Sequence, residues 1–265
     1  MRDIAVSNPQ ESFIDLDGQP IRVWRKGSGP VIGYFAGWGG LPRWTPFLDE
    51  LARHRTVVAP SLPGFPGGGR AHADLDSHLD WIVATRRIFV AAGLEGADLV
   101  GSSIGGGLAA EIAALWPAGP RRLVLIAPLG FYDENDPPAD VFARRADEYP
   151  AFLCANPDAW RALVAAPEGH NDVDWEIEQS RAAEAGARLL WPIANTHLDR
   201  RAPMITQRTL LIWGEADRVM PRAYADKWAR AIPGGAASRI IPDAGHLAEL
   251  DQPANVARAV LDFTS

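Results

Sequence analysis

Cysteine is nearly absent from this 265-residue chain, which contains a single one, Cys154. One thiol cannot form an internal disulfide or a cysteine-based zinc site, so we interpret Cys154 as a small buried apolar residue. The 6 histidines are scattered as well, with none three or four positions from another in a helical pattern. The sequence therefore predicts no metal site and no cofactor.

Positive charge and long apolar stretches are also scarce. Lys and Arg number 26 against 33 Asp and Glu, for a net charge of −7, and no basic run exceeds two residues. This balance disfavours a nucleic acid or an anionic membrane and favours a small-molecule partner. No apolar stretch approaches the ~18 residues of a membrane span, and the first residues lack the apolar core of a signal peptide. We therefore expect a cytoplasmic protein, and no motif indicates its oligomeric state.

Short apolar strand patterns alternate with helical patterns along most of the chain. A hairpin is predicted around Asp17 and Gly18. Further strands are predicted at 31–35, 56–59, 97–100, 122–127, 209–213 and 237–241, and helices at 44–54, 75–92 and 106–116. This alternation predicts an α/β fold with a mostly parallel, doubly wound sheet.

The alternation stops at about residue 131 and resumes at about residue 203. The intervening residues show helical patterns at 139–149, 158–165 and 175–187 and no convincing strand, which is too long for a plain connection. We predict a core domain formed by residues 1–130 and 203–265, with residues 131–202 inserted as a helical lid. The insertion would leave from the carboxyl end of a central strand, where ligands bind in open α/β sheets.

Ser103 lies at the centre of a Gly-x-Ser-x-Gly frame formed with Gly101 and Gly105. A strand pattern precedes the frame and a helical pattern follows it, which predicts a sharp strand-to-helix turn at the serine. Such a turn needs glycine on either side because neighbouring chain passes very close. The Ser103 hydroxyl would then lie at a helix N-terminus, where the dipole favours a developing negative charge.

Two other interpretations of these glycines fit the sequence less well. A phosphate-binding loop would require a Lys after the glycines, and none is present. If Ser102 were the nucleophile, Val100 and Ile104 would occupy the positions that need glycine. The frame therefore favours Ser103 as a nucleophile.

A serine hydroxyl needs a base to remove its proton and a third group to hold that base. His246 follows the last predicted strand and Asp217 follows the strand before it, with Asp243 and Asp133 as alternative acids. The order Ser103, Asp217, His246 is the one expected for a serine on a strand-to-helix turn. The other histidines have no motif around them and are interpreted as surface or packing residues: His54, His72, His78, and His170 and His197 in the predicted lid.

Four stretches together make the chain resemble the α/β-hydrolase superfamily. They are 57–65, 101–105, 213–221 and 244–247, the last followed by Pro253. The resemblance spans nearly the whole chain apart from the predicted lid. It implies that Ser103 is the nucleophile, His246 the general base and then acid, and Asp217 the carboxylate that orients His246.

The resemblance also implies an oxyanion hole made of two backbone N–H groups. One would be that of Ile104, directly after the nucleophile, and the other that of Trp38, in the loop after the third strand. The family usually has His-Gly where this chain has Ala36 and Gly37. An apolar substrate pocket is predicted around this loop and the lid, lined by Gly37, Trp38, Gly39, Trp160, Trp175, Trp191 and Leu247.

A serine nucleophile excludes the aspartate-dependent chemistries of the same superfamily and leaves acyl transfer to water. We predict a carboxylesterase acting on small to medium hydrophobic esters. One alternative is a carbon–carbon bond hydrolase for vinylogous diketones, although those relatives usually have Trp where Leu247 stands and a different oxyanion loop. Another alternative is a non-catalytic binding protein that keeps the same fold.

Overall fold

A computed structural model describes residues 8–167, 169, 171–191 and 196–265 of the chain. Its strands are β1 (Gln10–Leu16), β2 (Gln19–Lys26), β3 (Val31–Phe35), β4 (Thr56–Pro60), β5 (Asp98–Ser102), β6 (Arg122–Ile126), β7 (Arg208–Gly214) and β8 (Ala237–Ile241). Its α-helices are α1 (Pro46–Ala52), α2 (His78–Ala91), α3 (Ser103–Leu115), α4 (Tyr149–Leu153), α5 (Pro157–Val164), α6 (Asp172–Leu190), α7 (Ala223–Ala231), α8 (Ala248–Asp251) and α9 (Pro253–Thr264).

The strands form one sheet in the order β1-β2-β4-β3-β5-β6-β7-β8. The β2 strand is antiparallel to both of its neighbours, whereas every pairing from β4 to β8 is parallel. The predicted fold class is therefore confirmed. Because the central strands are parallel, their carboxyl ends meet at one edge of the sheet, and the loops leaving that edge lie close together.

Both faces of the sheet are covered by helices, as the apolar strands require. In β6, Leu123 and Leu125 belong to the core on one face, where α2, α3 and α7 pack. Val124 and Ile126 belong to the core on the other face, where α1 and α9 pack. Side chains alternate along a strand, so a strand with apolar residues at successive positions is stable only between two layers.

The segment between β6 and β7 contains α4, α5 and α6 and no strand among its described residues. The helix predicted at 139–149 is wrong. The Asp140 side chain accepts hydrogen bonds from the backbone N–H groups of Phe142 and Ala143, which gives this stretch a local alternative to helical pairing. The boundaries of the insertion and its role as a lid stay predictions.

Over the described ranges, no helix combines the length and the apolar character needed to cross a bilayer.

Candidate active site

Ser103 occupies the turn between β5 and α3. Its side chain is fully buried, and its backbone φ of +48° lies in the left-handed region that non-glycine residues seldom adopt. A strained residue at the carboxyl end of a central strand points to function, since the surrounding structure must hold it in place. The predicted strand-to-helix turn at Ser103 is confirmed.

The glycines on either side of Ser103 are required by crowding. A Cβ at Gly101 would lie 2.5 Å from the carbonyl oxygen of Gly105. A Cβ at Gly105 would lie 2.5 Å from the carbonyl oxygen of Phe35, at the end of β3. Backbone atoms cannot move aside as a flexible side chain can, so neither position accepts a larger residue.

His246 and Asp217 reach Ser103 through one continuous path of hydrogen-bonding distances. The Ser103 Oγ lies 2.8 Å from His246 Nε2, and His246 Nδ1 lies 3.0 Å from Asp217 Oδ2. The side chains of His246 and Asp217 are each only 1% exposed. The structure therefore brings the three sequence-predicted residues together in a water-excluded site, while their catalytic roles stay predictions.

The second carboxylate oxygen of Asp217 is held by the backbone. The N–H groups of Val219 and Met220 donate to Asp217 Oδ1 at 2.8 and 2.9 Å. This leaves Oδ2 aimed at His246. Two backbone donors fix both the position and the rotation of the carboxylate, as an orienting group needs.

The alternative acids lie elsewhere. The Asp133 carboxylate bonds Lys227 Nζ at 2.7 Å, and this contact lowers the pKa of Asp133 below its usual value. Asp243 has a φ of +52° and accepts a hydrogen bond from the Gln252 side chain through its backbone carbonyl. Neither side chain contacts His246 in the described part of the chain, so Asp217 is the acid that the geometry favours.

The predicted oxyanion donors border Ser103 on two sides. In the residues that the structure covers, the backbone N–H groups of Trp38 and Ile104 donate to no acceptor. Gly37 lies directly against Ser103, because a Cβ there would be 3.1 Å from Ser103 Cβ. A turn closed by the Gly40 N–H and the Gly37 carbonyl, 3.0 Å apart, shapes the loop. Two free donors beside a buried serine are what an oxyanion hole requires.

The other predicted pocket residues divide into two groups. Trp38 and Leu247 are buried beside Gly37, and Trp160 is buried against Gly39. Trp175, by contrast, donates its indole N–H to the Val164 carbonyl within the inserted helices at 2.9 Å. Trp191 is 61% exposed at the end of α6 and meets the Phe142 ring edge-on. Substrate contact by any of these residues stays a prediction.

Sequence reasoning missed several residues at the site. The rings of Phe142 and Tyr149 lie 5.3 and 6.1 Å from Trp38, so the inserted segment packs directly onto the loop that follows β3. The buried pair Tyr34 and Glu249 was also missed, because a hydrogen bond between residues 215 positions apart leaves no local pattern. The only available signal was an acidic residue three positions after His246.

The remaining histidines lie outside the path from Ser103 to Asp217. His78 Nε2 lies 3.0 Å from Glu111, and His72 contacts Glu184. His197 is in the left-handed conformation, and His170 lies outside the described residues. Among the residues that the structure describes, no group of three or more His, Cys, Asp or Glu side chains is placed to hold a metal ion.

Comparison with known proteins places these observations in a family. A sequence model of the alpha/beta hydrolase family matches residues 33–259, which include Ser103, Asp217 and His246. The match covers both the parallel part of the sheet and the inserted helices. It agrees with the sheet order, the turn at Ser103 and the loop positions of the acid and the histidine.

Three curated proteins show the range of activities among relatives. A dihydrolipoyllysine-residue acetyltransferase component of an acetoin cleaving system, from Cupriavidus necator, is 30% identical over 94% of this chain and 67% of its own length. A 2-hydroxy-6-oxo-2,4-heptadienoate hydrolase from Pseudomonas putida is 27% identical over 93% of this chain and 89% of its own. Carboxylesterase YbfK from Bacillus subtilis is 26% identical over 83% of this chain and 75% of its own length.

Proposed function

Because this chain belongs to the alpha/beta hydrolase family, we propose that it is a serine hydrolase that cleaves carboxylic esters of small to medium hydrophobic substrates. The observation that carries the proposal is the path from Ser103 Oγ through His246 to Asp217, with contacts of 2.8 and 3.0 Å. A nucleophile, a base and an orienting acid in that geometry suit acyl transfer.

The proposed reaction proceeds through an acyl-enzyme. His246 Nε2 takes the Ser103 proton as Oγ attacks the ester carbonyl carbon, and Asp217 stabilises the imidazolium that forms. His246 then gives the proton to the departing alcohol oxygen, which leaves the acyl group on Oγ. Water repeats the sequence, with His246 as its base, and releases the carboxylic acid and free Ser103.

The oxyanion formed in each half-reaction would be bound by the free N–H groups of Trp38 and Ile104. Removing one such donor typically costs ~2.7–4 kcal/mol of transition-state stabilisation. Ile104 N–H also lies at the N-terminus of α3, whose dipole adds to the favourable field. Since both donors belong to the backbone, Ala36 in place of a histidine does not remove either of them.

Esters are preferred over carbon–carbon bonds for two reasons. An alkoxide leaves more readily than a carbanion, so ester cleavage requires less stabilisation of the leaving group by the site. Leu247, rather than tryptophan, follows His246 and packs against Gly37.

The second candidate function is carbon–carbon hydrolysis of vinylogous diketones, favoured by the 27% identity to the heptadienoate hydrolase. A binding protein without catalysis is disfavoured because all three residues are present and connected.

The test is hydrolysis of p-nitrophenyl esters from acetate to decanoate by the wild type and Ser103→Ala. We expect turnover that peaks at short or medium chains and vanishes in Ser103→Ala. The matched control is Ser28→Ala, which also removes one hydroxyl but lies exposed before β3, at the end of that strand opposite the Trp38 loop; it should retain wild-type turnover.

A vinylogous diketone assayed in parallel separates the two hydrolytic candidates. Cleavage of the diketone with no ester turnover would favour the carbon–carbon hydrolase. Equal ester turnover by the wild type and Ser103→Ala would contradict serine catalysis altogether. If the wild type consumes neither substrate and Ser103 does not react with a fluorophosphonate, these results would favour the non-catalytic binding protein.

A further inference from the structure

The Glu249 side chain is buried beneath the candidate site, and the triad chemistry gives it no role. Glu249 is 2% exposed, lies in α8 and follows His246 by three residues. The Tyr34 hydroxyl donates a hydrogen bond to Glu249 Oε1 at 3.1 Å. A buried carboxyl without a countercharge is costly, so its presence calls for a physical reason.

The part of the chain that the structure describes provides no cation that neutralises this carboxyl. Within the described ranges, no Lys or Arg nitrogen forms a salt bridge with Glu249, and Glu249 Oε2 and the neighbouring Ser102 Oγ make no hydrogen bond of normal geometry. Burial raises the pKa of Glu249, although the Ser102 and Tyr34 hydroxyls and the His246 side chain act in the opposite direction. Burial therefore disfavours the charged form of this carboxyl relative to an exposed one.

The Glu249 carboxyl lies where three segments of the candidate site meet. Tyr34 is in β3, four residues before Trp38 and its free N–H group. Ser102 ends β5, immediately before the nucleophile. Gly37 closes the gap between these segments, since a Cβ there would lie 2.9 Å from Ser102 Oγ. Glu249 itself extends from the turn that carries His246.

Several residues of this region line one small cavity. Tyr34, Gly37, Trp38, Leu247 and Glu249 all line it. A smaller side chain at position 249 would enlarge this cavity beside Gly37 and Trp38, and their loop would lose support.

We propose that Glu249 is a positioning residue that fixes the oxyanion loop relative to Ser103 and His246. This inference rests on the proposed serine hydrolase function. The Trp38 N–H must stay free to bind the oxyanion, and Ala36 has no polar side chain, so the loop needs an anchor elsewhere. The hydrogen bond from Tyr34 to Glu249 supplies that anchor, since it joins β3, which leads into the loop, to α8.

The neutral form suits this role better than the charged one. A protonated carboxyl can accept from Tyr34 and also offer its own proton toward Ser102. A carboxylate would instead place a buried negative charge close to the oxyanion that forms during catalysis, which opposes that step.

The test compares Glu249→Gln, Glu249→Ala and Tyr34→Phe in ester hydrolysis. Glutamine keeps the shape, the acceptor and neutrality, so its kcat should stay within about threefold of wild type, whereas Glu249→Ala should lose about tenfold or more through misplaced donors. Tyr34→Phe, which removes only the hydroxyl, should show an intermediate loss. KM should change by less than about threefold in all three, because the loss lies in the transition state.

Tyr224→Phe is the matched control. The Tyr224 hydroxyl accepts a hydrogen bond from the Asp133 N–H and donates one to the Asp136 carbonyl, and within the described residues it makes none with Ser103, His246 or Asp217. It should lower the melting temperature and leave kcat unchanged. If Glu249→Ala does not fold, the comparison of Tyr34→Phe with Tyr224→Phe still decides the question. Equal kcat in these two phenylalanine variants would overturn the inference.

Two further results would also overturn it. Full activity in Glu249→Ala would show that no anchor is needed. A Glu249→Gln variant as impaired as Glu249→Ala would show that the charged form is required. Failure of the proposed function gives a different pattern, in which Ser103→Ala is as active as wild type. In the absence of ester turnover, the rate of Ser103 phosphonylation by a fluorophosphonate replaces kcat as the readout for the same variants.

Discussion

Ser103 Oγ lies 2.8 Å from His246 Nε2, although 143 residues separate them in the chain. The contact forms because the serine follows β5 and the histidine follows β8, and these strands are parallel members of one sheet. Their carboxyl ends open onto the same edge, together with the Asp217 loop after β7. The candidate chemistry therefore depends on the parallel topology as much as on the three side chains.

Replacing Asp217 by asparagine should disable the site without unfolding it. The asparagine oxygen would turn toward the N–H groups of Val219 and Met220, so that its NH₂ group faces His246. That arrangement favours the tautomer with a proton on Nε2, which cannot accept the serine proton. We expect kcat to fall by about 10³–10⁴-fold. Steady-state kinetics and circular dichroism of Asp217→Asn check both parts of this prediction.

Asp133→Asn serves as the control for this experiment. Asp133 pairs with Lys227 outside the site, so its amide variant should keep normal kcat. Near-normal activity in Asp217→Asn, with a loss in Asp133→Asn or Asp243→Asn, would assign the orienting role to another acid.

Gly105→Ala should destabilise the fold through crowding alone. The added Cβ would lie 2.5 Å from the Phe35 carbonyl, and Gly105 has no positive φ that would add strain. Overpacking of this kind costs typically about 1–3 kcal/mol or more in the free energy of unfolding. Urea denaturation monitored by tryptophan fluorescence measures the change.

Gly93→Ala is the complementary control. Gly93 has a φ of +72° with no atom within 4 Å of an added Cβ, so only backbone strain is introduced. A left-handed alanine costs about 1–2 kcal/mol. The crowding argument fails if Gly105→Ala proves to be the more stable variant of the two.

Glu111→Gln should lower stability in a pH-dependent way. Burial by itself raises the pKa of Glu111, but hydrogen bonds from His78 and Arg201 outweigh it and leave the pKa below its ordinary 4.5. A lowered folded-state pKa contributes stability that is fully present above about pH 4.5 and is lost as pH falls through the folded-state value. Glu111→Gln should therefore be destabilised by about 1–3 kcal/mol at neutral pH. The difference from wild type should shrink as the pH drops below about 4.5.

The exposed pair of Glu95 and Arg86 provides the matched comparison. Their contact is 3.0 Å long, but the Glu95 side chain is 54% exposed. Glu95→Gln should change the free energy of unfolding by less than about 1 kcal/mol. Urea titrations of both variants across the acidic range measure these differences. A difference in the free energy of unfolding between Glu111→Gln and wild type that stayed constant with pH would contradict the prediction.

The Cys154 thiol should be unreactive in the folded protein. Burial raises the pKa of Cys154, with a smaller contribution from Asp251, so little thiolate is present at neutral pH. Iodoacetamide at about pH 8 should label the chain in urea and leave the native chain unmodified, as intact-mass measurement would show. Rapid native labelling would mean that the thiol is accessible and would contradict its burial.

The parts of the fold that local pattern controls could be predicted from sequence. The strand predicted at 31–35 has those bounds in the structure, and the Asp17 and Gly18 hairpin turn has positive φ at both residues. The turn at Ser103 was predicted from Gly101 and Gly105, and the structure shows that the space around both is too small for a Cβ. Hydrophobic periodicity and glycine placement reflect local backbone conformation, so they predict strands and turns that depend on local conformation.

Features that depend on distant contacts could not be predicted. The stretch at 139–149 has helical spacing, yet the Asp140 side chain and a bond from Ala139 N–H to the Val219 carbonyl direct it otherwise. The pair of Tyr34 and Glu249 joins β3 to α8 across most of the chain. Tertiary contacts of this kind override propensity and have no local sequence pattern.

The most direct test of the central claim is the detection of an acyl group on Ser103. The wild type is mixed with p-nitrophenyl acetate, quenched in acid on the millisecond timescale, digested with trypsin and analysed by fragmentation mass spectrometry. The account predicts one acetyl group on the peptide of residues 88–121, located at Ser103 and absent from Ser103→Ala. Ester turnover without any acyl-Ser103, or with the acetyl group on another residue, would contradict it.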